Sequence, residues 1–193
     1  MKKTKLLAGV GVCDADYPVV RYQQLGYVDG KQKQKRVWAC KLYECWSNMI
    51  RRCYSGSNPN YDNCIVVEEW HKFSNFRKWA IEQDWVGMCL DKDILSNGLK
   101  IYSPSTCVFI DSKTNNFMTD SKKARGEFPI GVSKHKCTGK YKGRCGGKEL
   151  GLFITPEDAH DAWKIEKAKQ AELLASSQND YRVAYHIRRI YEV

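Results

Sequence analysis

The tetrapeptide Thr155-Pro156-Glu157-Asp158 constrains the fold of this chain more than any other stretch. Threonine caps a helix through its hydroxyl, and proline suits the first helical position because its missing N–H would have no partner there. A carboxylate three residues after the cap completes the start signal. A helix is therefore predicted over 157–169, with Ala159, Ala162 and Trp163 inward. Ahead of it, Lys134, Lys136, Lys140, Lys142, Arg144 and Lys148 crowd a short β-prone region with Gly146-Gly147 as a turn. Strand alternation sets Lys140, Lys142 and Arg144 on one face and Tyr141 on the other. A cationic sheet over an apolar helix is the electrostatic footprint of a nucleic-acid binder. Arg144 suits bidentate contact with guanine, and the lysines suit phosphates.

The charge balance points the same way. Lysine and arginine number 32 against 22 acids, a formal charge of +10 spread along all 193 residues. That distribution favours a folded polyanion binder over a neutral domain with a basic tail. The nine cysteines are odd in number, and the start of the chain does not read as a signal peptide. A reducing bacterial cytoplasm is expected, with association to the nucleoid when DNA is bound. No apolar run approaches the roughly 20 residues of a membrane span, so no membrane partner is expected. Cys40, Cys45, Cys53 and Cys64 cluster without a Cys-x-x-Cys knuckle, and Cys45 and Cys53 fall on the apolar face of a predicted helix. Structural burial is expected there and zinc is not. A Cys137 to Cys145 disulfide is likewise not expected in that compartment.

Before residue 90 the chain reads as support. Short β-prone pieces occur at 10–12, 19–22 and 37–39, and Asp29-Gly30 is a hairpin turn. The run Lys-Gln-Lys-Gln-Lys-Arg at 31–36 either tracks phosphates or is a solvated strand. From 41 to 54, Leu42, Cys45, Trp46, Met49, Ile50 and Cys53 recur at helical spacing. Residues 55–63 are a loop and 64–67 a strand. Helical spacing returns over 68–83, with a fresh turn at Ser74. It places Trp70, Phe73, Phe76, Trp79 and Ala80 in the core, not on a base-stacking platform. An RNA-binding function is disfavoured for the same reason.

Residues 90–116 carry the candidate chemistry. Strands are predicted over 89–95 and 106–110, with Asn97-Gly98 and Ser103-Pro104-Ser105 as turns and a helix from about Ser112. Asp91 at the strand end and Asn115 or Asn116 on the helix offer oxygen ligands to a hard cation, magnesium being the natural one. The pattern Asp91-Lys92, Tyr102-Ser103-Pro104, Asn115 resembles the ββα-metal fold of phage-type HNH endonucleases. The resemblance implies Asp91 and Asn115 as ligands for magnesium or manganese and Lys92 at the position of the general base. Two departures stand out: lysine replaces the usual histidine, and Ile101 replaces the asparagine before Tyr-Ser-Pro. An unperturbed lysine, with a pKa of about 10.4, is a poor base, and it can instead hold the scissile phosphate. His71, in the segment before the motif, reads as a helix-surface residue and not as a displaced base. Residues 128–175, with Gly131-Val132, Gly139-Lys140-Tyr141 and Leu150-Gly151-Leu152-Phe153, resemble the ethylene-response-factor type of DNA-binding domain.

Together these features predict an α+β chain. A ββα-metal HNH-like domain with N-terminal support (1–118) is followed by a linker (119–127) and by a three-stranded antiparallel sheet packed on one helix (128–175). A C-terminal helix within 176–193 is expected to dock on the core or to pair two copies in a homodimer. The expected activity is double-stranded DNA binding with magnesium-dependent phosphodiester cleavage. The alternative is a catalytically silent, nuclease-derived DNA-binding protein, acting as a regulator or as an antagonist of another nuclease.

Overall fold

The computed structural model describes residues 6–119 and 126–192. Most of the predicted linker lies outside the described residues. The fold is α+β, and the chain forms two compact units, Met1–Ser112 and Lys113–Val193. No helix among the described residues is long and apolar enough to cross a membrane.

The first unit is built on α1 (Lys41–Tyr54) and α2 (Phe73–Ala80). Leu42, Trp46, Met49 and Ile50 of α1 are buried with Phe73, Phe76 and Ala80 of α2 and with Trp70. The Trp46 indole N–H donates to the Trp70 carbonyl at 2.7 Å, so the ring is buried without an orphaned donor. The predicted 68–83 helix is split into a 3₁₀ turn (Glu68–His71) and α2. The cause is a long-range bridge. Val12 N–H donates to the His71 carbonyl at 2.8 Å, and Phe73 N–H donates to the Val12 carbonyl at 3.0 Å, which holds Lys72 extended. Asp14 then accepts from the Ser74 amide at 2.9 Å and its hydroxyl at 2.6 Å, capping α2 from far upstream.

Strands β1 (Val20–Val28) and β2 (Lys31–Ala39) form an antiparallel ribbon. Asp29 and Gly30 take φ values of 51° and 70°, the left-handed pair that a two-residue hairpin turn requires. The β-prone pieces at 19–22 and 37–39 are the base of this ribbon, which runs much further than they suggest. Every residue from Lys31 to Trp38 is exposed. At the base, Cys40 N–H donates to the Val19 carbonyl at 2.8 Å and Arg36 pairs with Glu44 of α1 at 3.1 Å.

Two further strand pairs complete this unit. Strand β3 (Ile65–Val66) runs parallel to β5 (Ile101–Tyr102), and β4 (Cys89–Asp91) runs antiparallel to β6 (Val108–Ile110) with Asp91 opposite Val108. The predicted strand 89–95 stops at Asp91. There the carboxylate Oδ1 accepts from the amides of Asp93 (2.9 Å) and Ile94 (2.8 Å), folding the chain into a turn.

The second unit opens on α3 (Ser112–Met118), whose first residue belongs to the first unit. Strands β7 (Val132–Lys134), β8 (Tyr141–Cys145) and β9 (Lys148–Phe153) form an antiparallel sheet in the order β7-β8-β9. Helix α4 (Pro156–Ser176) covers one face of it, starting on the Thr155 cap, whose hydroxyl accepts from the Asp158 amide at 3.1 Å. Gly131, at φ 81°, lies under Trp163, and a methyl group there would overlap the indole ring. Helix α5 (Tyr181–Ile190) buries Val183, Ala184 and Ile187 and packs on α4, the intrachain alternative for this segment. Helix α3 is tied to the same body. Gln178 donates to the Thr114 hydroxyl at 3.1 Å, and the Lys167 ammonium donates to the Phe117 carbonyl at 2.8 Å. That ammonium also lies 3.2 Å from the centre of the Phe117 ring and 4.9 Å from that of Tyr191.

Candidate nucleic-acid interface

Helix α4 decides which way the β8 side chains point. Gly143 and Cys145 are buried toward it, a Cβ at Gly143 lying 3.2 Å from the Ala159 carbonyl, and Arg144 is left outside. A register shift between Gly143 and Arg144 aligns Arg144 with Glu149 and leaves the in-and-out alternation intact. Lys134, Lys136, Lys140 and Arg144 are exposed. The other two predicted cations are engaged: Lys142 is ion-paired with Glu149 across the strands, and Lys148 with Glu166 of α4 at 2.8 Å. Lys142, hydrogen-bonded to Glu149, holds that carboxyl below its usual range, and Arg144 and His135 add to the effect. The outer face therefore carries Lys142 and Arg144 around one fixed anion, Glu149, while Lys134, opposite Tyr141 on the α4 side, is exposed with Lys136 and Lys140 where β7 runs into β8.

The predicted chemical centre divides differently. Asp91 and Lys92 belong to the first unit, at the end of β4, and Asn115 belongs to the second, on α3. Burial raises the Asp91 carboxyl above its ordinary pKa, and the two turn amides only partly offset this. Lys92 is buried, paired with Asp93, and lies 5.8 Å from the Tyr61 ring centre and 5.7 Å from that of Tyr102. Burial alone would lower its pKa; the hydrogen bond and charge of Asp93 outweigh it and hold the ammonium above the usual lysine value. Lys92 thus stays protonated, which is the wrong state for a proton acceptor. Arg52 of α1 stands 5.8 Å from the centre of the same Tyr61 ring, so Tyr61 is flanked by two cations. Nothing in the local sequence pattern links Arg52, Tyr61, Lys92 and Tyr102, which come from four separate stretches of the chain; of these, Tyr102 is placed by the β3–β5 pairing opposite Val66.

The remaining candidates fall into place one by one. His71 faces Tyr54, whose hydroxyl is 3.3 Å from the imidazole Nε2, and it sits on the 3₁₀ turn before α2. Cys45, Cys53, Cys64 and Cys107 are free thiols; burial pushes Cys45 and Cys107 up to about 12 and Cys53 up to about 11. No three His, Cys, Asp or Glu side chains gather into a metal-binding group among the described residues. No protein-family model, curated protein or solved structure matches this chain.

Proposed function

We propose that this protein binds double-stranded DNA through the outer face of the β7-β8-β9 sheet and the exposed cations of the β7–β8 connection beside it. The observation that carries the proposal is the exposed Arg144 on the face away from α4, together with Lys134, Lys136 and Lys140, exposed where β7 runs into β8. A sheet backed by a helix presents its cations on a rigid support, and lysines on such a surface draw affinity from the release of counterions. Arg144 is the one outward side chain on β8 with the forked geometry that reads a guanine edge. The resemblance of residues 128–175 to the ethylene-response-factor type of domain supports the same reading. The test is titration of duplex DNA at several salt concentrations. Replacing Lys134, Lys136 and Lys140 together by glutamine is expected to flatten the log-log salt slope by about 2.7. Arg144→Ala is expected to relax base preference by about 1–3 kcal/mol at one position. An unchanged slope with unchanged base preference in Arg144→Ala would exclude this surface.

The order β4, β6, α3 and the desolvated carboxylate of Asp91 favour a second reading, cleavage by an HNH-like centre. In that reading Asp91 and Asn115 hold magnesium or manganese, and Lys92 supports the phosphate as a fixed cation. The donor set argues against it: one oxygen of Asp91 already holds the turn, and a buried ammonium follows directly in sequence. A hard dication needs several converging oxygens, and these two residues supply few. Incubating supercoiled and linear duplex with either metal, beside Asp91→Ala, decides between the two readings. Cutting that disappears in the variant would establish the nuclease; binding without cutting would leave a nuclease-like protein that recognises DNA and spares it.

A further inference from the structure

The ribbon of β1 and β2 has cations on it that no packing accounts for. Its register puts Lys31, Lys33 and Lys35 on one face, opposite Val28, Gly26 and Gln23. No carboxylate stands across from any of them, and none of the three forms an ion pair among the described residues. The sole acid of the hairpin is Asp29, in the turn. Arg36 is on the opposite face with Gln32 and Gln34, where it is spent on Glu44. The two tyrosines divide in the same way. Tyr22 pairs with Arg36 and Tyr27 with Gln32, so both belong to the face that lacks the lysines, and Tyr27 is 74% exposed.

A two-stranded hairpin with nothing to bury is marginal by itself. This one has nine residues in each strand and reaches roughly 30 Å at about 3.3 Å per residue. The lysines recur every second residue, about 6.6 Å apart, in a straight row along one face. Such a row fits a polyanion of regular geometry. A single strand of nucleic acid would call for free rings interleaved with the cations; none lies between Lys31, Lys33 and Lys35, and Trp38 at the base of that face has the Arg21 guanidinium over its ring at 5.2 Å. The major groove of duplex DNA, by contrast, admits a two-stranded ribbon.

We infer that the β1–β2 ribbon is a second DNA-contacting element, separate from the sheet of the second unit, in which Lys31, Lys33 and Lys35 contact the phosphates of duplex DNA. This rests on the duplex-binding function proposed above. Lysines on exposed edge strands also discourage pairing with other sheets, and that role alone would leave DNA affinity untouched.

The deciding experiment uses the full chain and duplex DNA of mixed sequence, titrated between about 0.05 and 0.2 M salt. Three proteins are compared with wild type: Lys31→Gln/Lys33→Gln/Lys35→Gln, the same positions changed to arginine, and Lys134→Gln/Lys136→Gln/Lys140→Gln. The ribbon glutamine variant is expected to lose about 2.7 from the salt slope and on the order of 10²-fold in affinity at 0.1 M salt. The arginine variant should keep the wild-type slope, and all should keep the wild-type Tm. A wild-type slope in the ribbon glutamine variant would overturn the inference and leave the sheet proposal standing. Loss of slope in the ribbon variant with none in the sheet variant would uphold the ribbon and remove the sheet. No duplex binding by wild type would overturn both. Lysine-dependent binding to phosphatidylserine vesicles, with duplex binding indifferent to the ribbon, would also overturn the inference.

Discussion

The chain carries two cationic antiparallel sheets that differ in what lies behind them. The β7-β8-β9 sheet rests on α4, so Gly143 and Cys145 are driven inward and Arg144 outward. The β1–β2 ribbon has solvent on both faces, and its sequence shows the result: lysine and glutamine alternate over 31–35 with no buried position between them. A helix behind a sheet fixes which face is cationic by burying the other. In the ribbon only cross-strand register sorts the charges, with Lys31, Lys33 and Lys35 on one side and Arg36 on the other. Burial and register are thus two independent means of making a charged face, and they should fail differently.

The largest difference is expected from glycine. Gly131→Ala places a methyl group in the Trp163 ring and 2.8 Å from the Arg144 carbonyl, at a φ of 81°. Denaturant unfolding should show a loss of about 3 kcal/mol or more. Gly26→Ala in the ribbon, at φ 91° with nothing within 4 Å, is expected to cost about 1 kcal/mol, confined to the hairpin. Equal losses at the two sites would break the distinction. A smaller effect follows at the helix start, where Thr155→Ala removes the acceptor for the Asp158 amide and should cost about 1 kcal/mol in the same assay. The smallest is a pH dependence. Burial lowers the Lys167 pKa below the ordinary lysine value, even with the two rings beside it. Between that lowered value and about 10.5 the unfolded chain binds more protons than the native one, so stability should rise with pH across this window. Lys167→Met should remove the rise, and a fall with pH in wild type would show the rings outweighing burial.

How much of this was legible in the sequence depended on range. Helix α1 was read at both ends, because Leu42, Trp46, Met49 and Ile50 repeat at the period of a helix that buries one face. The start of α4 was read from Thr155-Pro156 for an equally local reason. The break at Lys72 was not, since it is imposed by Val12 and Asp14 from a distant part of the chain. The end of β4 was missed because Asp91 was weighed as a metal ligand and not as the acceptor for its own turn. The length of the ribbon was missed because period-two reading needs one buried face, and 31–38 has none. At the candidate sites, the cations of 134–148 were visible as a group; that Lys142 and Lys148 are committed to Glu149 and Glu166 was not, because both partners are set by tertiary register. The state of Lys92 was hidden for the same reason, being fixed by its burial and by its pairing with Asp93.

The exposed ribbon also sets how the protein opens. Its amides are protected by cross-strand bonds alone, with no core to break when they part, so it can melt and re-form while Trp46, Trp70 and Phe76 stay packed. Amide exchange along the hairpin should therefore proceed by a sub-global route, with an opening free energy well below that of α1. The ribbon and the core should open as separate cooperative units, so a polyanion bound along the hairpin would protect those amides selectively and leave the stability of the core unchanged.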